Sequence, residues 1–382
     1  MTKIAAEPLA ALRARTSCKW QTYPPDVLPL FVAEMDYPLA APVQQAIIGR
    51  VLASDTGYIA GPEPVAGAFA GYAGRTWDWA VDPGDVRTAT DVSVAIVECL
   101  RQTVPVDGSV VITPPVYPPF FELPPEADAS VVEVPLLLTG TGWQLDLPGL
   151  ERAFARGADA LLLCNPHNPL GVLHSAAVLR AVAELSAAYG VAVISDEIHA
   201  PLAYAPGSFT PYLSVSANAR EFGICVTAAS KAWNIAGTKC AVMVASSERT
   251  RLQLDSMPAE VAARTSILGL HGSAAAYDDG GPWLEGVLES LGENRRLLGE
   301  LLTARLPGVV YRPPAAGYLA WLDFRGLGWG EDPAAVALER ARVALEPGLR
   351  FGRQGTGFAR LNFACSPDVL TEAVARLAAA AA

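Results

Sequence analysis

The sequence predicts an α/β protein whose main sheet is mostly parallel, with a smaller α+β part formed by the last third of the chain. Six short apolar runs alternate with helical stretches in the first two thirds. Near-continuous apolar strands of this kind are typical of a parallel sheet covered on both faces. With 382 residues, 51% of them hydrophobic, the chain is long enough for two domains and a substantial core.

Taken in order, the chain begins with an extended loop at 31–42, a helical segment at 41–53, a Gly/Pro-rich loop at 58–64 and an amphipathic helix to about Trp77. The strand-like runs follow at 109–113, 129–134, 158–164, 191–195, 224–227 and 241–245, with a helix predicted at 175–189. The last third contains predicted helices at 284–306 and 333–345, strands at 318–324 and 358–363, and an alanine-rich closing helix.

We therefore predict a large domain at 46–278 and a small domain formed by 1–45 and 279–382. The boundary falls near the sequence YDDGGP at 277–282. A change from strand–helix alternation to long charged helices around a few strands is typical of a separate α+β unit.

The overall charge excludes some classes of partner. A formal net charge of −11 argues against nucleic acid or an anionic membrane surface, because both favour a basic face. The six cysteines include no CxxC pair, so neither a metal site nor a disulfide framework is indicated. No secretory signal is recognisable at the start, and no apolar stretch approaches the roughly twenty residues that span a bilayer. We expect a soluble cytoplasmic protein.

Lys231 lies in the stretch TAASKAWNIAGTK, between the apolar runs 223–227 and 241–245. Ligands of open α/β sheets bind at the carboxyl ends of the strands. A lysine desolvated there has a lowered pKa, which allows it to form an imine with an aldehyde. The alternative is a surface lysine in a loop, which is the commoner role of an isolated lysine.

Asp196 follows another apolar run, in VAVISDEIHA, and His199 comes three residues later. A carboxylate at this position can keep the ring nitrogen of pyridoxal phosphate protonated. Asp196 could equally be a helix cap or a solvated loop residue. His199 could hydrogen-bond Asp196 or a ring substituent, or it could be a satisfied buried imidazole.

Three further side chains follow strand-like runs. Asn165 and Asn168 each precede proline in LLLCNPHNPLG, which either forms simple turns or aims an amide at a ligand. Tyr117, in VVITPPVYPPFF, could stack on a flat heteroaromatic ring or be a core aromatic.

Two more positions could bind anions. Residues 90–93 precede a helix predicted to begin near Val94, and the free backbone amides there, at Val92 and Ser93, can bind an anion, although a simple cap by Asp91 or Ser93 has the same pattern. Arg360 lies in an apolar strand and needs a partner there, either a substrate carboxylate or an internal acid. The glycines beside Arg360 follow no strand and open no helix, so they do not form a dinucleotide fingerprint.

Taken together, these stretches resemble the fold type I pyridoxal phosphate enzymes, and in particular the MalY/PatB group of cystathionine β-lyases and related aminotransferases in the class I/II superfamily. The resemblance covers nearly the whole chain and implies a large domain with a sheet of the seven-stranded type. The motifs that carry it are FVAEMDYP, TATDVSVAI, TPPVYPPFF, NPHNPLG, SDEIHAPL, SKAWNIAG and RLNFACS.

The resemblance also implies a role for each matching residue. Lys231 would be the Schiff-base lysine, Asp196 the pyridinium partner, Tyr117 the ring stacked on the cofactor, Asn168 the contact to its phenolic oxygen, and His199 a neighbour of that ring. Val92, Ser93, Ser230 and Lys239 would bind the phosphate, Tyr58 would reach it from the neighbouring subunit of a homodimer, and Arg360 with backbone near Val32 and Ala33 would bind the substrate carboxylate.

Two positions depart from the superfamily pattern. Ala228 stands where many members have a serine, which leaves Thr227 or Ser230 as the hydroxyl near the phosphate. Lys239 stands where aminotransferases usually have an arginine, so the charge is kept but not the bidentate geometry.

The expected reaction is β-elimination from cystathionine or a related S-substituted cysteine, giving a thiol, pyruvate and ammonia. A transaminase would use the same residues, so the site does not choose between the two reactions. A regulatory protein that holds the cofactor without turnover is a third alternative, although it would have no need of the lysine.

Overall fold

The computed structural model describes residues 3–382. The chain divides into two compact units. The first, here called the sheet unit, is Leu39–His167 with Leu173–Gly281. The second, the terminal unit, contains residues 3–38, Asn168–Val172 and Pro282–Ala382. The terminal unit is thus built from three separate stretches, and its five-residue middle stretch was not indicated by the sequence pattern.

The sheet unit contains one seven-stranded sheet. Its strands lie in the spatial order Val86–Ala89, Ala241–Ala245, Gly223–Thr227, Ala192–Asp196, Ala160–Cys164, Ser109–Ile112 and Ser130–Glu133. The last five of these run parallel to one another, and Ala241–Ala245 is antiparallel to both of its neighbours. The predicted α/β class with a mostly parallel sheet is confirmed.

Helices cover this sheet because its central strands are apolar on both faces. Every residue of the four strands from Ala160–Cys164 to Ala241–Ala245 is buried. The helices of the sheet unit are Ala41–Leu52, Val65–Trp77, Val92–Thr103, Leu123–Glu126, Leu147–Ala155, Ala176–Tyr189, Ala217–Phe222, Glu248–Asp255, Ala259–Ala263 and Ile267–Asp279. A small hairpin, Leu137–Thr139 with Gly142–Gln144, lies outside the main sheet.

Strand register brings the candidate residues of the sheet unit to one edge of the sheet. Cys164 pairs with Asp196, and Asp196 pairs with Val226 on its other side. The Asn165 N–H donates to the Asp196 carbonyl at 2.9 Å, and the Glu197 N–H donates to the Val226 carbonyl at 2.8 Å. The carboxyl ends of three neighbouring strands therefore lie level, which is where ligands of such sheets bind.

The terminal unit has its own four-stranded antiparallel sheet. Its strands lie in the order Val310–Tyr311, Leu319–Asp323, Phe358–Asn362 and Glu346–Pro347. Its helices are Leu9–Leu12, Cys18–Gln21, the 25-residue Gly281–Arg305 that begins at the boundary between the units, Pro333–Val336 and Pro367–Ala381. Leu28–Pro29 pairs in parallel with Val343–Ala344.

The helix predicted at 333–345 is wrong in its last turn. The helical backbone continues through a π-helical turn only to Ala341, and Arg342 adopts a left-handed conformation with φ of 55°. Val343 and Ala344 then pair with the N-terminal strand. Tertiary strand pairing therefore overrides the helical spacing of the sequence at this point. Among residues 3–382, no helix has the length and apolar character needed to cross a bilayer.

Candidate active site

Lys231 lies in a short turn segment, four residues after the strand Gly223–Thr227 ends. The segment is closed by two backbone bonds, from the Trp233 N–H to the Ala229 carbonyl and from the Ile235 N–H to the Ser230 carbonyl, both at 3.0 Å. We call residues 228–235 the lysine loop. Lys231 is half-buried within it, as the sequence predicts for a lysine partly removed from water.

Trp233 anchors the lysine loop in the core of the sheet unit. Its side chain is fully buried and packs edge-to-face against Tyr72 and Tyr277. Its indole N–H donates to the Gly280 carbonyl at 3.0 Å, and a Cβ added at Gly280 would lie 2.4 Å from the same nitrogen. Position 280 therefore has to be glycine, because any side chain there would collide with the Trp233 indole that anchors the lysine loop.

Asp196 is the last residue of the strand Ala192–Asp196 and is only 4% exposed. Burial raises the pKa of Asp196 to about 7, while the Ile198 N–H and the charge of Lys231 act in the opposite direction. One carboxylate oxygen accepts the Ile198 N–H at 3.1 Å. The structure thus places Asp196 and Lys231 within electrostatic reach, and a cation bound beside Asp196 would stabilise its ionised form.

The neighbouring Glu197 was not singled out by the sequence, although it is also buried. Its Oε1 accepts the Tyr212 N–H at 2.7 Å and the Ser195 hydroxyl at 3.0 Å, and burial raises its pKa to about 7. The Thr227 hydroxyl donates to the Glu197 carbonyl at 3.2 Å. Thr227 is therefore engaged with the backbone, which favours Ser230 of the two hydroxyls considered for a phosphate.

Two buried histidines, His167 and His174, lie in the segment that follows the strand Ala160–Cys164. His167 donates from Nε2 to the Pro115 carbonyl at 2.9 Å, two residues before Tyr117, and its ring packs edge-to-face against His174 at 5.7 Å. Burial lowers the pKa of His167 to about 4 and that of His174 to about 3. Both imidazoles are therefore neutral near pH 7.

These two histidines make the stability of the sheet unit depend on pH. In the unfolded chain these histidines have a pKa near 6.5, so below that pH they bind protons that the folded protein does not bind. The contribution of the two neutral histidines to the unfolding free energy is fully present above about pH 6.5. It is lost as the pH falls from about 6.5 towards the folded pKa values of about 4 and about 3. At pH 5 each histidine should cost about 2 kcal/mol of unfolding free energy relative to pH 8.

Urea unfolding at pH 8 and pH 5 measures this loss. In His174→Gln the loss should be about 2 kcal/mol smaller than in the parent protein. His271→Gln is the matched control, because His271 is only half-buried, and its effect should be clearly smaller. An unchanged loss in His174→Gln, or an equal reduction in both variants, would contradict the prediction.

A candidate anion site lies at the start of the helix Val92–Thr103. Asp91 caps this helix by accepting the Val94 N–H at 3.0 Å, and the Lys239 ammonium lies 2.9 Å from its other oxygen. Burial alone would raise the pKa of Asp91, but the Val94 amide and Lys239 together lower it. Lys239 therefore lies at the helix end where Val92 and Ser93 lie, paired there with Asp91, and a phosphate site at this helix end stays a prediction.

Four further candidates of the sheet unit have different surroundings. The Asn165 side-chain amide donates to the Thr210 carbonyl at 3.1 Å. Tyr117 is half-buried, with its ring edge-to-face against Phe120 at 6.0 Å. His199 is buried, 5% exposed, three residues beyond Asp196. Tyr58 is 90% exposed, so its ring contributes little to packing within its own chain.

Arg360 and Asn168 meet within the terminal unit. The Arg360 side chain is 5% exposed and lies over the Phe351 ring, 5.0 Å from its centre. One guanidinium nitrogen donates to Asn168 Oδ1 at 3.0 Å and the other to the Phe31 carbonyl at 3.0 Å. The internal acid proposed as the alternative partner of Arg360 is not tested by these two contacts, which are to an uncharged amide and an uncharged carbonyl.

Sequence comparison decides the family. The sequence profile of the family described as aminotransferase class I and II matches residues 56–377. The chain belongs to the aminotransferase class I and II family. This aminotransferase-family chain is 35% identical over 370 residues to the cystathionine beta-lyase of Corynebacterium glutamicum, covering 97% of this chain and 98% of the relative. It is also 31% identical over 362 residues to the cystathionine beta-lyase PatB of Bacillus subtilis, covering 93% and 92%.

Structural comparison agrees with the sequence match. The aminotransferase-family chain superposes on a crystal structure from Corynebacterium diphtheriae, described provisionally as a pyridoxal phosphate-dependent beta-cystathionase, with a TM-score of 0.94. The two share 35% identity, and the match covers 99% of each chain. The predicted resemblance and the fold type I architecture are thereby confirmed.

The residues of the sheet unit fit pyridoxal phosphate. Asp196 is a buried carboxyl that a protonated ring nitrogen would compensate, and its charge interacts with that of Lys231. Lys239 lies at the start of the helix Val92–Thr103, where the helix dipole favours an anion, and a phosphate bound there would compete with Asp91 for the Lys239 ammonium. Within residues 3–382, no group of three or more His, Cys, Asp or Glu side chains is arranged to hold a metal ion.

Proposed function

We propose that this protein is a pyridoxal phosphate-dependent carbon–sulfur β-lyase that cleaves cystathionine or a related S-substituted L-cysteine to a thiol, pyruvate and ammonia. The observation that carries the proposal is the buried Asp196 carboxyl at the carboxyl ends of the parallel strands, where the positive charge of Lys231 acts to lower its pKa. The relatives named as cystathionine beta-lyases support the reaction class.

The cofactor, when bound, withdraws electrons from the substrate Cα and so stabilises the charge left when its proton is removed. Lys231 would hold the cofactor, and its amine, when free, would take the proton from the substrate Cα. Asp196, in its ionised form, would keep a proton at the ring nitrogen. Transfer of the Cα proton to the Lys231 amine and departure of the Cβ–S electron pair with sulfur give 2-aminoacrylate and a thiolate. The thiolate takes up a proton, and water hydrolyses 2-aminoacrylate to pyruvate and ammonia.

The remaining side chains bind and orient. The phosphate would be held by the backbone amides of Val92 and Ser93, the Ser230 hydroxyl and the Lys239 ammonium, while Tyr117 would stack on the ring and His199 would lie beside it. In the terminal unit, Arg360 binds the substrate α-carboxylate with the backbone at Ala33, and Asn168 contacts the cofactor's phenolic oxygen. The link from Arg360 to Asn168 supports this assignment, because the arginine is already held in one orientation before a substrate arrives.

We also propose a homodimer in which Tyr58 reaches the phosphate of the neighbouring subunit. Its 90% exposure supports this, together with the exposed Val51 and Leu52 just before it in the chain. The six cysteines are all free thiols, which fits a reducing compartment such as the cytoplasm.

Transamination is the second candidate, favoured by the match to the aminotransferase class I and II family itself. The deciding experiment measures pyruvate release from L-cystathionine by the purified protein loaded with cofactor, with and without an added 2-oxo acid. Pyruvate formed without the oxo acid supports β-elimination. Amino transfer that appears only with the oxo acid, and no pyruvate without it, would overturn the lyase proposal.

A further inference from the structure

Residues 31–36 of the terminal unit have no regular secondary structure, yet side chains bind each backbone carbonyl from Phe31 to Met35. The donors are Arg360 to Phe31 at 3.0 Å, Asn362 to Val32 at 2.7 Å, Tyr318 to Ala33 at 3.1 Å, Asn362 again to Glu34 at 2.6 Å, and Arg15 to Met35 at 3.2 Å. Such a segment has a defined orientation at every peptide although it belongs to no helix or sheet.

Asn362 makes two of these five bonds and is fully buried. Both hydrogens of its side-chain amide are used, on Val32 and Glu34, and its Oδ1 accepts the Ala364 N–H at 2.7 Å. The orientation of the amide follows from these partners, because the reversed amide would place its oxygen against two carbonyl oxygens. The backbone N–H of Asn362 also donates to the Leu30 carbonyl at 2.9 Å.

The bond to Val32 fixes more than one carbonyl. A peptide unit is planar, so holding the Val32 carbonyl also sets the direction of the Ala33 N–H, which points the opposite way. Arg360 precedes Asn362 by two residues on the strand Phe358–Asn362, so the two side chains leave the same face. One strand face therefore holds both the guanidinium and the peptide that ends in the Ala33 N–H.

We propose that Asn362 is a positioning residue for the substrate carboxylate: it orients the Val32–Ala33 peptide so that the Ala33 N–H and the Arg360 guanidinium bind one carboxylate together. The inference rests on the proposed function, in which Arg360 and the backbone at Ala33 bind that group. Asn362 itself touches neither substrate nor cofactor.

The rest of the segment keeps its place without Asn362. Lys19 and Asp36 form an ion pair at 2.8 Å with side chains only 1% exposed, and the Lys19 ammonium also donates to the Glu34 carbonyl at 3.3 Å. Loss of the Asn362 amide therefore leaves the Glu34 carbonyl with the Lys19 donor, whereas the Val32 carbonyl loses its 2.7 Å side-chain donor and keeps the backbone N–H of Glu34 at 2.9 Å. The expected disturbance is local to the Val32–Ala33 peptide.

The test compares the dissociation constants of L-alanine and ethylamine for the holoenzyme, followed by the absorbance of the cofactor. Ethylamine is alanine without its carboxylate. In Asn362→Ala the constant for L-alanine should rise about tenfold, the effect of losing one hydrogen bond to a charged group. The constant for ethylamine should stay within about twofold. Steady-state kinetics should show the loss mainly in KM.

Asn294→Ala is the matched control. Asn294 is also buried in the terminal unit, and its amide also donates to two carbonyls, those of Phe363 at 2.9 Å and Cys365 at 2.7 Å. It should be destabilised to a similar degree while its L-alanine constant stays unchanged. An equal effect of the two variants, or an equal rise for alanine and ethylamine in Asn362→Ala, would overturn the proposal.

Arg360→Lys separates failure of this inference from failure of the proposed function. If Arg360→Lys weakens L-alanine and Asn362→Ala does not, the positioning role alone is wrong. If neither variant weakens L-alanine, the carboxylate site itself is wrong and the inference falls with it. Should Asn362→Ala fail to fold, Asn362→Ser keeps a single donor and is expected to show the same selective loss at smaller size.

Discussion

Replacing Lys231 by alanine is expected to lower the rate of pyruvate release at least about a thousandfold. General acid–base catalysis by one positioned side chain is worth about a hundredfold to ten-thousandfold, and the variant also loses the covalent attachment of the cofactor. The lysine loop should keep its shape, because Trp233 and its bond to Gly280 are untouched. The loss should therefore appear in kcat rather than in protein stability.

The measurement pairs activity with borohydride reduction of the holoenzyme. Reduction should fix the cofactor on the peptide containing Lys231 in the parent protein and leave the variant unlabelled. Lys3→Ala serves as the matched control, since Lys3 pairs with Glu293 on the exposed surface of the terminal unit. Activity above about a tenth of the parent value in Lys231→Ala would contradict the role given to this residue.

Replacing Arg360 by alanine is expected to lower kcat/KM about a hundredfold to a thousandfold, with most of the loss in KM. Truncating a buried, hydrogen-bonded charge costs about 2–5 kcal/mol of binding. Here it also leaves Asn168 Oδ1 and the Phe31 carbonyl without their guanidinium donors. Arg360→Lys keeps the charge but not the planar fork, so we expect an intermediate loss of about tenfold to a hundredfold.

Arg350→Ala is the control for this series. Arg350 belongs to the same unit, but its side chain is 57% exposed and pairs with Glu346 at 2.5 Å. The carboxylate role is supported if KM is unchanged in Arg350→Ala and raised in both Arg360 variants. The increase in KM should be smaller in Arg360→Lys than in Arg360→Ala. Equal KM values for the parent, lysine and alanine forms would refute it.

The sequence predicted the central strands well because their apolar runs are continuous and end in polar residues. Ala241–Ala245 has the predicted bounds, whereas the strand predicted at 191–195 lies one residue later, at Ala192–Asp196, so Asp196 is its last residue and does not follow it. Val86–Ala89 was missed, because four residues that include Arg87 and Thr88 give no apolar run. The strand Val343–Ala344 was also missed, because it exists only through its pairing with Leu28–Pro29.

For the candidate site, residue types after strand-like runs were enough to select Lys231 and Asp196, and Arg360 was selected as a charged residue within an apolar strand. Their partners could not be found in this way. The link between Lys239 and Asp91 spans 148 residues, and Asn362 holds Val32 across 330 residues. Pairings between residues so far apart leave no periodicity or spacing in one sequence, and Glu197 differs from a surface glutamate only through its burial.

The long separation between the segment 31–36 and its donors also sets an order of events during synthesis. Every residue of the sheet unit precedes the strand Phe358–Asn362 in the chain. The Phe31 carbonyl, in contrast, is bound by Arg360, which is synthesised 329 residues later. Domains generally fold as units while the chain emerges. The ribosome thus synthesises Asp196 and the lysine loop first. The segment 31–36 receives its donors from Arg360 and Asn362 only near the end of synthesis. A chain that stops before Phe358 keeps the sheet unit whole and lacks both side chains that bind Phe31 and Val32.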